Sequence, residues 1–163
     1  MKSLLISLIS FLFLHSCPFV QAADNSVEIR TKGSSSLIHI DQIGTSNVAR
    51  VWCGLSQGTY TTHNCSNATI DIDQDGTGNT ARAYSQVANH TGNEYKIDQD
   101  GNDNFGYIDA DDDSNDMDIV QNGNNNDAEI YMQGDDNVYK ITQTGDDKEG
   151  EIRAFGDDSE FTI

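Results

Sequence analysis

The chain has 163 residues, with 27 Asp and Glu against 9 Lys and Arg, for a formal net charge of −18. No basic patch is present to neutralise phosphates, which excludes a nucleic-acid partner. Low hydrophobicity at this charge is the composition of disordered chains unless a repeat organises it.

Residues 1–22 read as a secretory signal: Lys2 supplies the positive start, Leu4 to Leu14 the apolar stretch, and Val20-Gln21-Ala22 a small-residue cleavage site. A lipoprotein signal modified at Cys17 is the alternative, which His15 fits poorly. After Ala22 the chain has no proline and only two leucines, Leu37 and Leu55. That disfavours helices and leaves strand ladders uninterrupted.

Residues 23–35 form an N-terminal half-repeat, in which Val27 and Ile29 precede Gly33 as Ile152 precedes Gly156. Residues 36–158 then hold five copies of one pattern. It runs aliphatic, any, Gln, any, Gly, two further residues, Asn, any, a small residue, any, apolar. The copies run from Ile40 through Gln42, Gly44 and Asn47 to Val51; from Ile72 through Gln74, Gly76 and Asn79 to Ala83; and from Ile97 through Gln99, Gly101 and Asn104 to Ile108. The last two run from Ile119 through Gln121, Gly123 and Asn126 to Ile130, and from Ile141 through Gln143, Gly145 and Lys148 to Ile152. Successive Gln residues are 32, 25, 22 and 22 apart. Self-similarity at a fixed period of this length marks a stacked-repeat architecture.

Within each copy the marked positions alternate with period two on both sides of a Gly-containing turn, so each reads as strand, tight turn, strand. One such arch cannot bury its apolar face alone and needs neighbours above and below. In-register stacking puts Gln over Gln and Ile over Ile at roughly 4.8 Å. The expected fold is therefore all-β: a two-sheet parallel β-solenoid whose buried amides form ladders, as in cross-β assemblies. Residues 159–163 are a C-terminal half-repeat, with Phe161 and Ile163 in first-strand positions. Half-copies at both poles leave strand edges that a further molecule can pair.

The insertion at 53–65 is bracketed by Cys53 and Cys65, and export to an oxidising compartment favours a disulfide closing it. Neither cysteine has the spacing of a metal motif. Charge is uneven: residues 67–163 carry 24 acidic and five basic residues. The Asp-rich stretches read as solvated turns, or as a brake on stacking through like-charge repulsion. Asp71 to Gly76 opens like a calcium-binding EF-hand loop, but Arg82 holds the twelfth place and the flanks read as strands. Loose surface binding of calcium by Asp-rich turns is the remaining metal reading. Histidines 39, 63 and 90 show no ligand spacing, and no Ser-His-Asp constellation is present. No cofactor, metal site or catalysis is expected.

The repeated Gln-x-Gly-x-x-Asn-x-Ala, with aliphatics two and four places before Gln, resembles the curlin repeat of the bacterial curli subunits. This resemblance spans roughly residues 27–163. It implies an extracellular amyloid fibre subunit for adhesion and biofilm, secreted through an outer-membrane pore, started by a nucleator subunit and polymerising with itself. The family's internal amides map onto Gln42, Asn47, Gln74, Asn79, Gln99, Asn104, Gln121, Asn126 and Gln143. The family's second Gln is replaced by Cys53, Ser85, Ala110, Met132 and Ala154, and Lys148 interrupts the Asn row. Five regular copies favour the bulk subunit over the nucleator. A monomeric secreted binding module is the rival from another class, although the Thr-x-Thr row of an ice-binding face is absent.

Overall fold

The computed structural model describes residues 24–30, 37–52, 69–85, 92–111, 115–133, 138–155 and 160–163. The signal segment and the Cys53–Cys65 insertion lie outside the described residues. Twelve strands are present among them: β1 (Ser26–Ile29), β2 (Leu37–Thr45), β3 (Val48–Val51), β4 (Thr69–Thr77), β5 (Thr80–Ser85) and β6 (Glu94–Asn102). They continue with β7 (Phe105–Asp111), β8 (Asp116–Asn122), β9 (Asp127–Gln133), β10 (Val138–Thr144), β11 (Glu149–Phe155) and β12 (Glu160–Thr162). Odd strands form one six-stranded parallel sheet and even strands the other, each in chain order. The fold is the expected two-sheet β-solenoid.

The register follows from the pattern. A slip of one residue would turn every apolar side chain outward, so each strand aligns with its own copy. Ile40, Ile72, Ile97, Ile119 and Ile141 form one column of the even sheet, and Gln42, Gln74, Gln99, Gln121 and Gln143 the next. The odd sheet answers with Ala49, Ala81, Gly106, Ala128 and Gly150, then Val51, Ala83, Ile108, Ile130 and Ile152. Ile72, Ile97, Ile119 and Ile141 are fully buried, each contributing roughly 2–3 kcal/mol. The small column has a steric reason: a Cβ on Gly106 would stand 2.9 Å from Ile97 Cγ2 and 3.3 Å from Gln99 Nε2. Where the resemblance implied a second Gln, Ala110 and Met132 are buried in the apolar core. At those two places the position serves hydrophobic packing.

The turn glycines are required twice over. Gly101 has φ +123°, and a Cβ there would lie 2.0 Å from the Gly123 carbonyl oxygen of the next layer. Gly44, Gly76 and Gly123 meet the following layer's glycine carbonyl in the same way. Gly145, also at positive φ, meets only Lys148 Cε at 3.6 Å. Backbone conformation and layer spacing thus act together at the inner turns, and conformation alone at the last.

Gly101→Ala should destabilise the fold by at least about 3 kcal/mol, and Gly145→Ala by roughly 1 kcal/mol. Urea unfolding of the two variants checks this; equal losses would mean that layer contact at the turns is unimportant.

Candidate functional site: amide ladders and open poles

Each ladder Gln side chain lies inside the stack because its strand alternates with period two. Nε2 of Gln42 donates to Oε1 of Gln74 at 2.7 Å. Gln74 donates to Gln99, Gln99 to Gln121 and Gln121 to Gln143, each at 2.8 Å. The second amide hydrogen crosses to the odd sheet: Gln99 Nε2 donates to the Thr80 carbonyl at 3.2 Å, Gln121 to Phe105 at 2.9 Å and Gln143 to Asp127 at 2.7 Å. The column therefore ties layer to layer and sheet to sheet. Four of these residues are buried, and Gln42 at the first layer is half-buried.

The Asn column works on the backbone of the turn. Oδ1 of Asn47, Asn79, Asn104 and Asn126 each accepts the backbone N–H of the residue one layer on, at 3.0 Å. Nδ2 of Asn79 and of Asn104 donates to the next layer's glycine carbonyl at 2.8 Å. Lys148 completes the row by its backbone N–H but carries no side-chain oxygen for a further layer. Asn25 begins the same column, its Oδ1 accepting Asn47 N–H at 2.9 Å. Reading Val27 and Ile29 as a second strand already placed Asn25 where Asn47 stands relative to Ala49, so the signal was present but unused.

Two other ladders escaped the sequence reading. Asn115 N–H donates to buried Asn93 Oδ1 at 2.8 Å where the chain re-enters the even sheet. Asn93 and Asn115 recur 22 residues apart, two places before Tyr95 and Met117. On the outside of the turns, Asn102 Nδ2 donates to Asn124 Oδ1 at 2.8 Å, and Asn124 Nδ2 to Asp146 Oδ1 at 2.9 Å.

The outer faces carry stacked carboxylates. Asp41, Asp73 and Asp98 form one column of the even sheet. Together with Asp75 and Asp100 they line a shallow groove. Asp127 stands over Glu149 and Glu129 over Glu151 in the odd sheet, lining another. Partial burial raises the Asp98 pKa, against the opposing pull of Lys96 and with help from Asp73, Asp118 and Asp100. Burial and then Glu149 raise that of Asp127. The first half of the odd sheet's outer face is different: Trp52 stacks on Tyr84 at 4.1 Å, and Arg30 and Arg82 each lie 5.4 Å from an aromatic ring, of Trp52 and Phe105.

Stacking also brings His39 to Asp71, with Nδ1 and Oδ1 3.1 Å apart. Hydrogen bonding to Asp71, then its charge, raises the His39 pKa above its ordinary value. With Asp73 these residues present three donor atoms within 4.8 Å of one another. Their separation in the chain hides the grouping from any spacing motif. Asp71 and Asp73 lie on strand β4, which agrees with rejection of the EF-hand match.

Apolar exposure concentrates at the poles. Val27, Ile29, Leu37 and Ile43 are 48–68% exposed at the first pole, and Phe155, Phe161 and Ile163 are 49–69% exposed at the last. Among the described residues, no strand pairs with the outer edges of β1, β2, β11 and β12, and Asn25 Nδ2 reaches the Gln42 and Gly44 carbonyls of β2. Cys53 and Cys65, expected to pair, lie outside the described residues. With this geometry in place, comparison with known proteins finds one match: residues 113–145 fit the family model of the curlin associated repeat. It supports the resemblance to the curlin fibre-subunit family. No curated protein and no solved structure matches the chain.

Gln121→Ala, which removes the acceptor of one Gln99 Nε2 hydrogen and the donor to Gln143 Oε1, should cost about 2–4 kcal/mol. Gln143→Ala breaks one rung only and should cost about half as much by the same urea measurement. The His39 imidazole should titrate above pH 6.5 by NMR and fall back toward that value in Asp71→Asn. Since protonation is favoured by the folded state, its stabilising contribution is complete at low pH and is lost as pH rises through the folded-state value.

Proposed function

We propose that this chain is a secreted structural subunit of a curli-type extracellular amyloid fibre, polymerising end to end as the bulk subunit for surface adhesion and biofilm matrix. The observation that carries the reading is the continuation of in-register layers to both poles, with edge strands and apolar side chains left open there. An open parallel edge is a template for another strand, and a soluble solenoid ordinarily blocks it. Each layer added buries about the same apolar area as an inner layer and extends the backbone ladder.

The partners in this reading are further copies of the chain, a nucleator subunit that offers a first edge, and an outer-membrane secretion pore. Residues 1–22 serve as the export signal. The stacked carboxylates restrain assembly until the edges meet, because each new layer places like charges about 5 Å apart.

Purified protein should gain thioflavin fluorescence and a 4.8 Å cross-β reflection with time. A preparation that stays folded and monomeric at high concentration would instead support a binding module. Growth at low salt should be faster at pH 4 than at pH 8. Asp98 and Asp127 have folded-state pKa values above 3.8, so ordering takes up protons. The cost of ordering them charged is present at neutral pH and is relieved as pH falls through the raised values. Equal rates at the two pH values would remove the carboxylate restraint, and added salt should narrow the difference.

A further inference from the structure

The two poles are stepped in opposite senses. At the first pole β1 extends the odd sheet one layer beyond β2; at the last, β12 extends the even sheet one layer beyond β11. We propose that these steps are the two halves of one joint: β1 of one copy seats on β11 of another, beside its β12, so that a single layer is built from two chains. The inference rests on the fibre reading and specifies its contact.

The seat is visible at the last pole. A cleft of about 240 Å³ is lined by Glu151, Ile152, Arg153 and Ala154 on β11 and by Phe161, Thr162 and Ile163 beside it. Its floor is an open strand edge and its wall is an apolar half-layer. The register of the odd sheet runs unbroken from Ser26 over Val48 to Asp127 over Glu149. One further step of that register sets Val27 on Gly150 and Ile29 on Ile152. Val27, Ile29, Phe161 and Ile163 are each close to half exposed, while their counterparts Ala81, Ile108, Tyr95 and Ile119 in inner layers are fully buried. The joint closes all four into one core layer, with Ile163 toward Val27 as Ile141 lies toward Gly150.

The sequence agrees with this seating. Glu28-Ile29-Arg30 on and after β1 recurs as Glu151-Ile152-Arg153 on β11, and the tripeptide occurs nowhere else in the chain. Glu28 pairs with Arg30 and Glu151 with Arg153 within their own strands. The same register stacks Glu28 on Glu151 and Arg30 on Arg153, and the opposite charge held beside each within its own segment offsets part of that like-charge repulsion. In the even sheet the same step puts β12 against β2: Phe161 meets Ile38, Thr162 meets His39 and Ile163 meets Ile40. No carboxylate faces another there, unlike the Asp41, Asp73 and Asp98 column. Lys148 offers no oxygen to the incoming Asn25 N–H, so this layer lacks the Asn-to-backbone bond of inner layers.

Each copy then occupies five layers of its own and shares a sixth, for an axial repeat of about 29 Å at roughly 4.8 Å per layer. Helical reconstruction of fibres grown from the purified protein tests this, with the expected repeat and with β12 of one copy beside β1 of the next. A repeat near 24 Å, or β1 and β12 in separate layers, overturns the joint and leaves the fibre reading standing; failure to form any fibre overturns both. Ile29→Asp and Phe161→Asp should each slow seeded elongation more than about tenfold, because the joint buries both positions. Elongation of Ile29→Asp at the unsubstituted rate would also overturn the proposal.

Discussion

In-register parallel stacking makes every side chain the neighbour of its own counterpart at one strand spacing, and the rest of the molecule follows from that constraint. A buried position is tolerated only if the residue is complementary to itself. Ile is, through dispersion. Gln and Asn are, because an amide is both donor and acceptor and can hand one hydrogen bond along the column while using its second hydrogen sideways. Gln99 does both, to Gln121 and to Thr80. A buried carboxylate column would leave acceptors facing acceptors, which explains why the described acidic residues lie on the outer faces and turns.

The same spacing dictates the turns. Glycine at position 101 is needed for its positive φ and because the next layer's carbonyl occupies the space a Cβ would fill. Asn79, one layer before, holds that turn by accepting the Asn104 N–H and donating to the Gly101 carbonyl. A two-strand layer buries few side chains per residue, so much of its order comes from these repeated polar bonds. Stability is then a sum over layers and their contacts, and the end layers are the weakest.

Charge sets the opposing force. Outer columns stack Asp on Asp and Glu on Glu, and partial burial raises the pKa of Asp98 and Asp127. At the poles the acidic columns continue into β11 with Glu149 and Glu151, but Glu28 and Glu151 each pair with an arginine of their own segment, and β12 presents Thr162 between Phe161 and Ile163. An arginine beside Glu28 and beside Glu151 offsets part of the repulsion at the two ends.

Strand periodicity, the columns of Gln, Ile and Asn, and the turn glycines were all legible in the residues, because each depends only on positions within one 22-residue unit. Asn25 and the Asn93–Asn115 pair were legible too, but as recurrences outside the Gln-centred pattern. Other features had no local trace. The grouping of His39 with Asp71 and Asp73 spans an insertion, and the stacking of Trp52 on Tyr84 joins residues 32 apart on an outward face that periodicity marks only as polar. Sequence alone determined which residues repeat and which face they take; only the tertiary structure decided which unlike residues meet along the axis and that the poles are stepped. The physical reason is that a repeat specifies its own stacking partner, whereas contacts between non-identical positions depend on how the insertions and half-layers bring them into register.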